Sequence, residues 1–169
     1  MRRDTARKTA VYGMMVALAM VMSYVEAVIP VPIPVPGVKL GLANLVTITA
    51  LYMTGPLPAA AISLLRIVLV GLTFGNMYSM IYGLAGGCLS LISMIAARRS
   101  GLFGRTGVSV IGGMTHNIGQ LLVAAFVVQS PVVFAYLPAL LLSGIIAGTL
   151  IGLLGGLVIR RLPDADRMR

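Results

Sequence analysis

Pro30-Val-Pro-Ile-Pro-Val-Pro-Gly-Val-Lys-Leu-Gly-Leu-Ala-Asn44 interrupts an otherwise apolar chain and separates its first apolar run from all the later ones. Proline stands at alternate positions, Pro30, Pro32, Pro34 and Pro36. Each fixes φ and lacks an N–H, so the run is extended or polyproline-like rather than helical. Gly37 frees a turn, Lys39 adds a charge, and a new apolar run opens at Leu40. A stiff strap set between two apolar helices is expected to act as a lid, with Pro30, Pro32, Pro34, Pro36 and Gly37 as its frame.

The flanking sequence says what that lid covers. Of 169 residues, 59% are hydrophobic and 10% charged, whereas soluble domains carry about 25% charged residues. Such a chain cannot clothe itself in polar surface, so lipid is its expected solvent. The net charge of +9 sits in short clusters between apolar runs, which is the pattern of membrane topology rather than of nucleic-acid binding. The single cysteine, Cys88, lies within an apolar run and allows no disulfide within the chain.

The fold class expected is an all-α integral membrane protein, a bundle of six transmembrane helices forming one domain. The spans are expected at residues 10–29, 40–54, 57–74, 77–97, 106–129 and 133–159, with a polar tail at 162–169. The second is short. The basic start and long apolar run of the first read as a retained helix rather than a cleaved signal. With six spans, Arg2, Arg3, Arg7 and Lys8, then Arg98, Arg99 and Arg105, then Arg160, Arg161, Arg167 and Arg169 fall on one side. The positive-inside rule puts both termini in the cytoplasm of a plasma-membrane, multi-pass protein and turns the strap outward.

Small residues recur at helical spacing. Gly144, Gly148, Gly152 and Gly156 form one face of the last span, and Ser79, Gly83 and Gly87 do so in the fourth. Such faces let helix backbones approach closely in lipid. In the first span, Gly13 and Ala17 are open to either internal packing or a partner subunit.

A charge near the centre of a membrane helix costs about 2.5–3.5 kcal/mol on insertion scales, so Arg66 needs a reason. Either it faces a cavity and binds an anion, or it ties to helix ends or to Glu26. Glu26 and Lys39 sit across the strap from each other and are also a possible pair. In the fifth span, His116 and Gln120 are four apart and share a face, with Gly112 one turn before, so open space is expected above that glycine. Thr115 and Asn117 flank them. Asn44 and Asn76 add amides toward the outer half. These residues read either as interhelical ties or as the wall of a cavity, and polar residues within spans commonly mark a pathway. Tyr24, Tyr78 and Tyr82 either stack on a bound ring or sit at the interface. No metal ligand set, cofactor motif, Walker A sequence or nucleophile elbow is present. ATP hydrolysis is therefore expected from other chains.

Three stretches together carry a resemblance. These are Pro36-Gly-Val-Lys-Leu-Gly-Leu-Ala-Asn44, Leu65-Arg66-Ile67, and Gly107-Val-Ser-Val-Ile-Gly-Gly-Met-Thr-His-Asn-Ile-Gly-Gln120. The chain resembles the small bacterial membrane family called Gx transporters, also labelled heptaprenyl diphosphate synthase component I. That family is in turn similar to the substrate-binding S components of energy-coupling factor (ECF) transporters. The resemblance implies six spans, an outward pocket beneath the loop between spans one and two, and docking to a coupling subunit and two ATPases. Gly13 and Ala17 occupy the plausible docking positions, departing from the Ala-x-x-x-Ala form usual there.

The function expected is a non-enzymatic, substrate-binding subunit that takes up a small solute. That solute is vitamin-like or isoprenoid- or quinone-related, and an anionic head would suit the basic residues. Its expected binding residues are Lys39, Asn44, Arg66, Asn76, His116, Asn117 and Gln120. The alternative is a non-catalytic membrane subunit of polyprenyl diphosphate synthesis; a membrane anchor for another complex is a third reading. The aspartate-rich motifs with which prenyl diphosphate synthases hold Mg²⁺-diphosphate are absent from this sequence.

Overall fold

The computed structural model describes residues 2–29 and 41–161. The lid residues Pro30, Pro32, Pro34, Pro36 and Gly37, together with Lys39 and the tail, lie outside the described residues. Six α-helices make up the fold: α1 (Arg2–Val28), α2 (Leu42–Met53), α3 (Pro56–Thr73), α4 (Met77–Ser100), α5 (Arg105–Val128) and α6 (Leu137–Arg161). A 3₁₀ turn at Pro131–Tyr136 leads into α6. No strand occurs among the described residues.

Five of these helices are long and apolar enough to cross a membrane. The exception is α2. Its 12 residues rise about 18 Å at 1.5 Å per residue, against a hydrocarbon core about 30 Å thick. The segment expected to be the second span is thus a helix without spanning length. Local chemistry limits it at both ends. Gly41 precedes it at φ 77°, and Gly55 follows at φ 94°, where Pro56 starts α3. Both values lie in the region glycine enters at little cost, and proline suits the first turn of a helix. At the other limits, α1 begins at Arg2 rather than at the apolar run, so its basic residues ride on the helix. Pro131 holds the start of α6 back to Leu137 by opening the 3₁₀ turn, whose N-cap is Ser130.

One end of the bundle is packed solid. Met15 of α1 lies in a core cluster with Leu51 and Met53 of α2, Ala59 of α3, Ala97 of α4 and Val108 of α5. These residues sit beside the basic clusters. Arg98 adds a tie there: its guanidinium donates to the Leu51 carbonyl oxygen near the end of α2 and lies 4.7 Å from the Tyr52 ring centre. Arg105 approaches the same ring at 5.7 Å. Arginines over a tyrosine gain cation–π attraction, and a cation at a helix C-terminus meets the negative end of its dipole. The basic loop between α4 and α5, read from sequence only as a topological signal, therefore also anchors the short helix.

Glycine fixes the α4–α5–α6 side. A methyl group on Gly113 would stand 2.5 Å from the Gly144 carbonyl oxygen, and one on Gly148 2.7 Å from the Val110 Cα. One on Gly152 would meet the Thr106 Cα at 2.7 Å. As α6 advances, its glycines meet progressively earlier residues of α5, so the two helices are antiparallel and Arg160 and Arg161 come to the basic end. Between α4 and α5 the close pair is Gly86 and Gly119. The glycine stripe of α6 is used three times out of four: Gly156 has nothing within 4 Å, and Gly155 instead packs on Ile48 of α2. In α4, Gly83 and Gly87 take the Ile67 side chain of α3.

Gly144→Val is expected to lower the thermal midpoint of the detergent-purified protein, because overpacking of this kind costs about 1–3 kcal/mol or more. Gly156→Ala is expected to leave that midpoint unchanged within error.

Candidate functional site

The opposite end of the bundle is hollow. A cavity of about 340 Å³ runs from the ends of α1 and α3 down between the helices to Met94, Ser109 and Ile151. It exists where α2 stops: Gly41, Ala43 and Asn44, the start of that short helix, form part of its wall. The other helices continue past that level.

Arg66, on the middle of α3, contributes the guanidinium. Its Nη1 donates to Ser23 Oγ of α1 at 3.4 Å, and Ser23 Oγ donates in turn to the Ala19 carbonyl oxygen at 2.9 Å. Arg66 Nε is buried without a hydrogen-bond partner. Buried polar groups of proteins are nearly always satisfied, so this edge of the side chain stands out. Glu26 lines the cavity as well. It does not pair with Arg66 within 4 Å; its Oε1 accepts a hydrogen bond from the Gly41 N–H at the start of α2. A carboxylate there meets the positive end of the helix dipole.

His116 and Gln120 project from α5 where it crosses α4. The surface beneath them is Gly86, whose added methyl would touch the His116 imidazole and the Gln120 side chain, both at 3.0 Å. This corrects the expectation of open space above Gly112. That space is filled by Met94, 2.7 Å from the position of a methyl on Gly112, and by Ser90. The glycine partner lies on the neighbouring helix, and the spacing within α5 could not reveal it.

Of the seven residues expected to bind a solute, the structure brings six to this one cavity: Asn44, Arg66, Asn76, His116, Asn117 and Gln120. Lys39 lies outside the described residues. Two of the six are already committed to holding helices in place. Asn76 is the N-cap of α4, its Oδ1 accepting from the Ser79 N–H at 2.8 Å while Ser79 Oγ accepts from the Asn76 N–H at 3.0 Å. Asn117 Nδ2 donates to the Leu140 carbonyl oxygen at 2.7 Å and to Ser143 Oγ at 3.1 Å, tying α5 to α6. Gly13 and Ala17 are elsewhere, exposed on the outer face of α1, and nothing lies within 4 Å of a methyl on Gly13. Tyr24, Tyr78 and Tyr82 are not in the cavity wall. Tyr24 instead meets Phe74 edge-on at 5.5 Å.

Sequence reasoning passed over Ser23 as a binding-site residue. Its contact with Arg66 joins residues 43 apart, which no spacing within α1 reveals. Among the described residues, no three His, Cys, Asp or Glu side chains are grouped to hold a metal ion.

A family model described as heptaprenyl diphosphate synthase component I matches residues 15–158. The chain belongs to this family. The matched segment begins within α1 and ends within α6, so it takes in the whole cavity wall. No curated protein and no solved structure matches the chain.

Asn117→Ala is expected to cost about 1 kcal/mol of stability, the usual scale of an interhelical hydrogen bond in a membrane protein. Gln120→Ala, which breaks no such tie between helices, is expected to leave the melting temperature in detergent nearly unchanged.

Proposed function

We propose that the chain is a solute-binding membrane subunit that captures a small molecule in this cavity. The observation that carries the reading is the meeting of Asn44, Arg66, His116 and Gln120, from four different positions in the sequence, at the end of the bundle away from the basic clusters. Polar side chains within membrane helices that face a common cavity are the usual mark of a substrate site. In this reading the chain crosses the membrane six times, with α2 in the shortest crossing. The basic end faces the cytoplasm with both termini, following the positive-inside rule, and the cavity opens across the plasma membrane. Energy for uptake comes from partner ATPases, as in the ECF S components that the sequence resembles. Gly13 and Ala17, bare on the outer face of α1, offer a coupling subunit a close approach.

A second reading comes from the family's description. It implies partner synthase subunits at a membrane, with this chain as the non-catalytic member. Recovery of the tagged chain with a soluble prenyltransferase favours that reading; recovery with an ATPase pair favours uptake.

In a Cys88→Ser background, Val132→Cys is expected to react with a membrane-impermeant maleimide in intact cells, and Leu102→Cys only after permeabilisation. The reverse pattern would invert the orientation. Native mass spectrometry of the purified protein is expected to find a retained small molecule that Arg66→Ala has lost. Equal retention by that variant would remove Arg66 from the site.

A further inference from the structure

The charges around the cavity specify a class of head group. Guanidinium N–H donors occupy fixed directions in one plane. Nη1 shares an edge with Nη2 at the tip, and Nε shares the other edge with Nη2. Ser23 takes Nη1. What remains is the side-on edge, Nε with Nη2, and Nε is enclosed and unpartnered. Two parallel N–H groups on one edge match two oxygens of a carboxylate or of a phosphate.

The charge balance narrows this further. Among the described residues of the wall, Arg66 is the only arginine or lysine and Glu26 the only carboxylate, with His116 the one imidazole. Glu26 and Arg66 line the same cavity. Glu26 also answers the start of α2 through the Gly41 N–H. One negative charge on a solute is therefore met by Arg66. A second finds no further arginine or lysine among these residues and faces the Glu26 carboxylate in a low-dielectric space, where repulsion is poorly screened.

We infer that the cavity takes a solute bearing a single carboxylate, held by the Nε–Nη2 edge of Arg66, and that Glu26 excludes phosphate and diphosphate heads. The inference rests on the solute-binding reading and adds the head-group class to it. It also separates the cavity's ligand from the diphosphate in the family's description.

The test uses the full chain in lipid nanodiscs, with acetate, butyrate and benzoate as monocarboxylate probes and inorganic phosphate and diphosphate as polyanions. Thermal shifts at graded concentrations give apparent affinities. At least one monocarboxylate is expected to stabilise the wild type, and diphosphate is not. Arg66→Lys keeps the charge and loses the fork; it is expected to bind that carboxylate roughly tenfold or more weakly. Its elution as a monodisperse species separates this loss from misfolding. Glu26→Gln is expected to admit diphosphate. Diphosphate binding to the wild type as tightly as the carboxylates, or an undiminished carboxylate response in Arg66→Lys, overturns the inference. So does a retained phosphorylated solute found by native mass spectrometry, though solute binding itself would then stand. No response to any probe and no retained molecule would remove both.

Discussion

The length of α2 is the constraint on which the structure turns. Twelve residues are shorter than a bilayer's hydrocarbon core, yet the helix is held firmly at the basic end by the core cluster and by Arg98 on the Leu51 carbonyl oxygen. Fixed at that end, it stops partway along bundle neighbours of 18 to 27 residues. The space above its first turn is then enclosed by longer helices, and the polar residues at that level face a cavity instead of another helix surface. A full-length helix in the same place would fill the volume and leave Arg66 with no room beside it.

The glycines do the complementary task. Where α5 meets α6 and α4, backbones touch almost directly, at Gly113 with Gly144 and at Gly86 with Gly119. Lipid gives little hydrophobic drive for helices to associate, so contact of this kind and a few hydrogen bonds hold them together. Asn117, bonded to Leu140 and Ser143, supplies one such bond on the same seam. His116 and Gln120 are thereby set on a rigid wall, with Gly86 directly beneath them.

Much of this was legible in the sequence because its signals are short-range. Apolar runs, basic clusters and the Gly55-Pro56 turn mark helices and their limits within a few residues. The oddity of Arg66 in an apolar helix, and of His116 with Gln120, was likewise visible residue by residue. What was hidden depends on pairs far apart in the chain. Ser23 with Arg66, Arg98 with Tyr52, and Met94 over Gly112 each join different helices, and helix periodicity carries no information about the rotation of one helix against another. Asn76 shows a different difficulty. A capping asparagine and a binding asparagine look alike until the Ser79 N–H is seen bonded to it.

The contacts between helices are also unequal in kind. The α4–α5–α6 side is joined backbone to backbone, whereas α3 meets α4 through side chains, Ile67 against Gly83 and Gly87 and Met80 against Gly71. Arg66 rides on α3 with its partner Ser23 on α1, and Gln120 rides on the stiff wall across from them. Any molecule that touches both Arg66 and Gln120 is a brace between a side joined through side chains and one joined through backbones. Such a brace would add a crosslink at the hollow end to the one that Met15 and Ala59 already make between α1 and α3 in the core at the basic end.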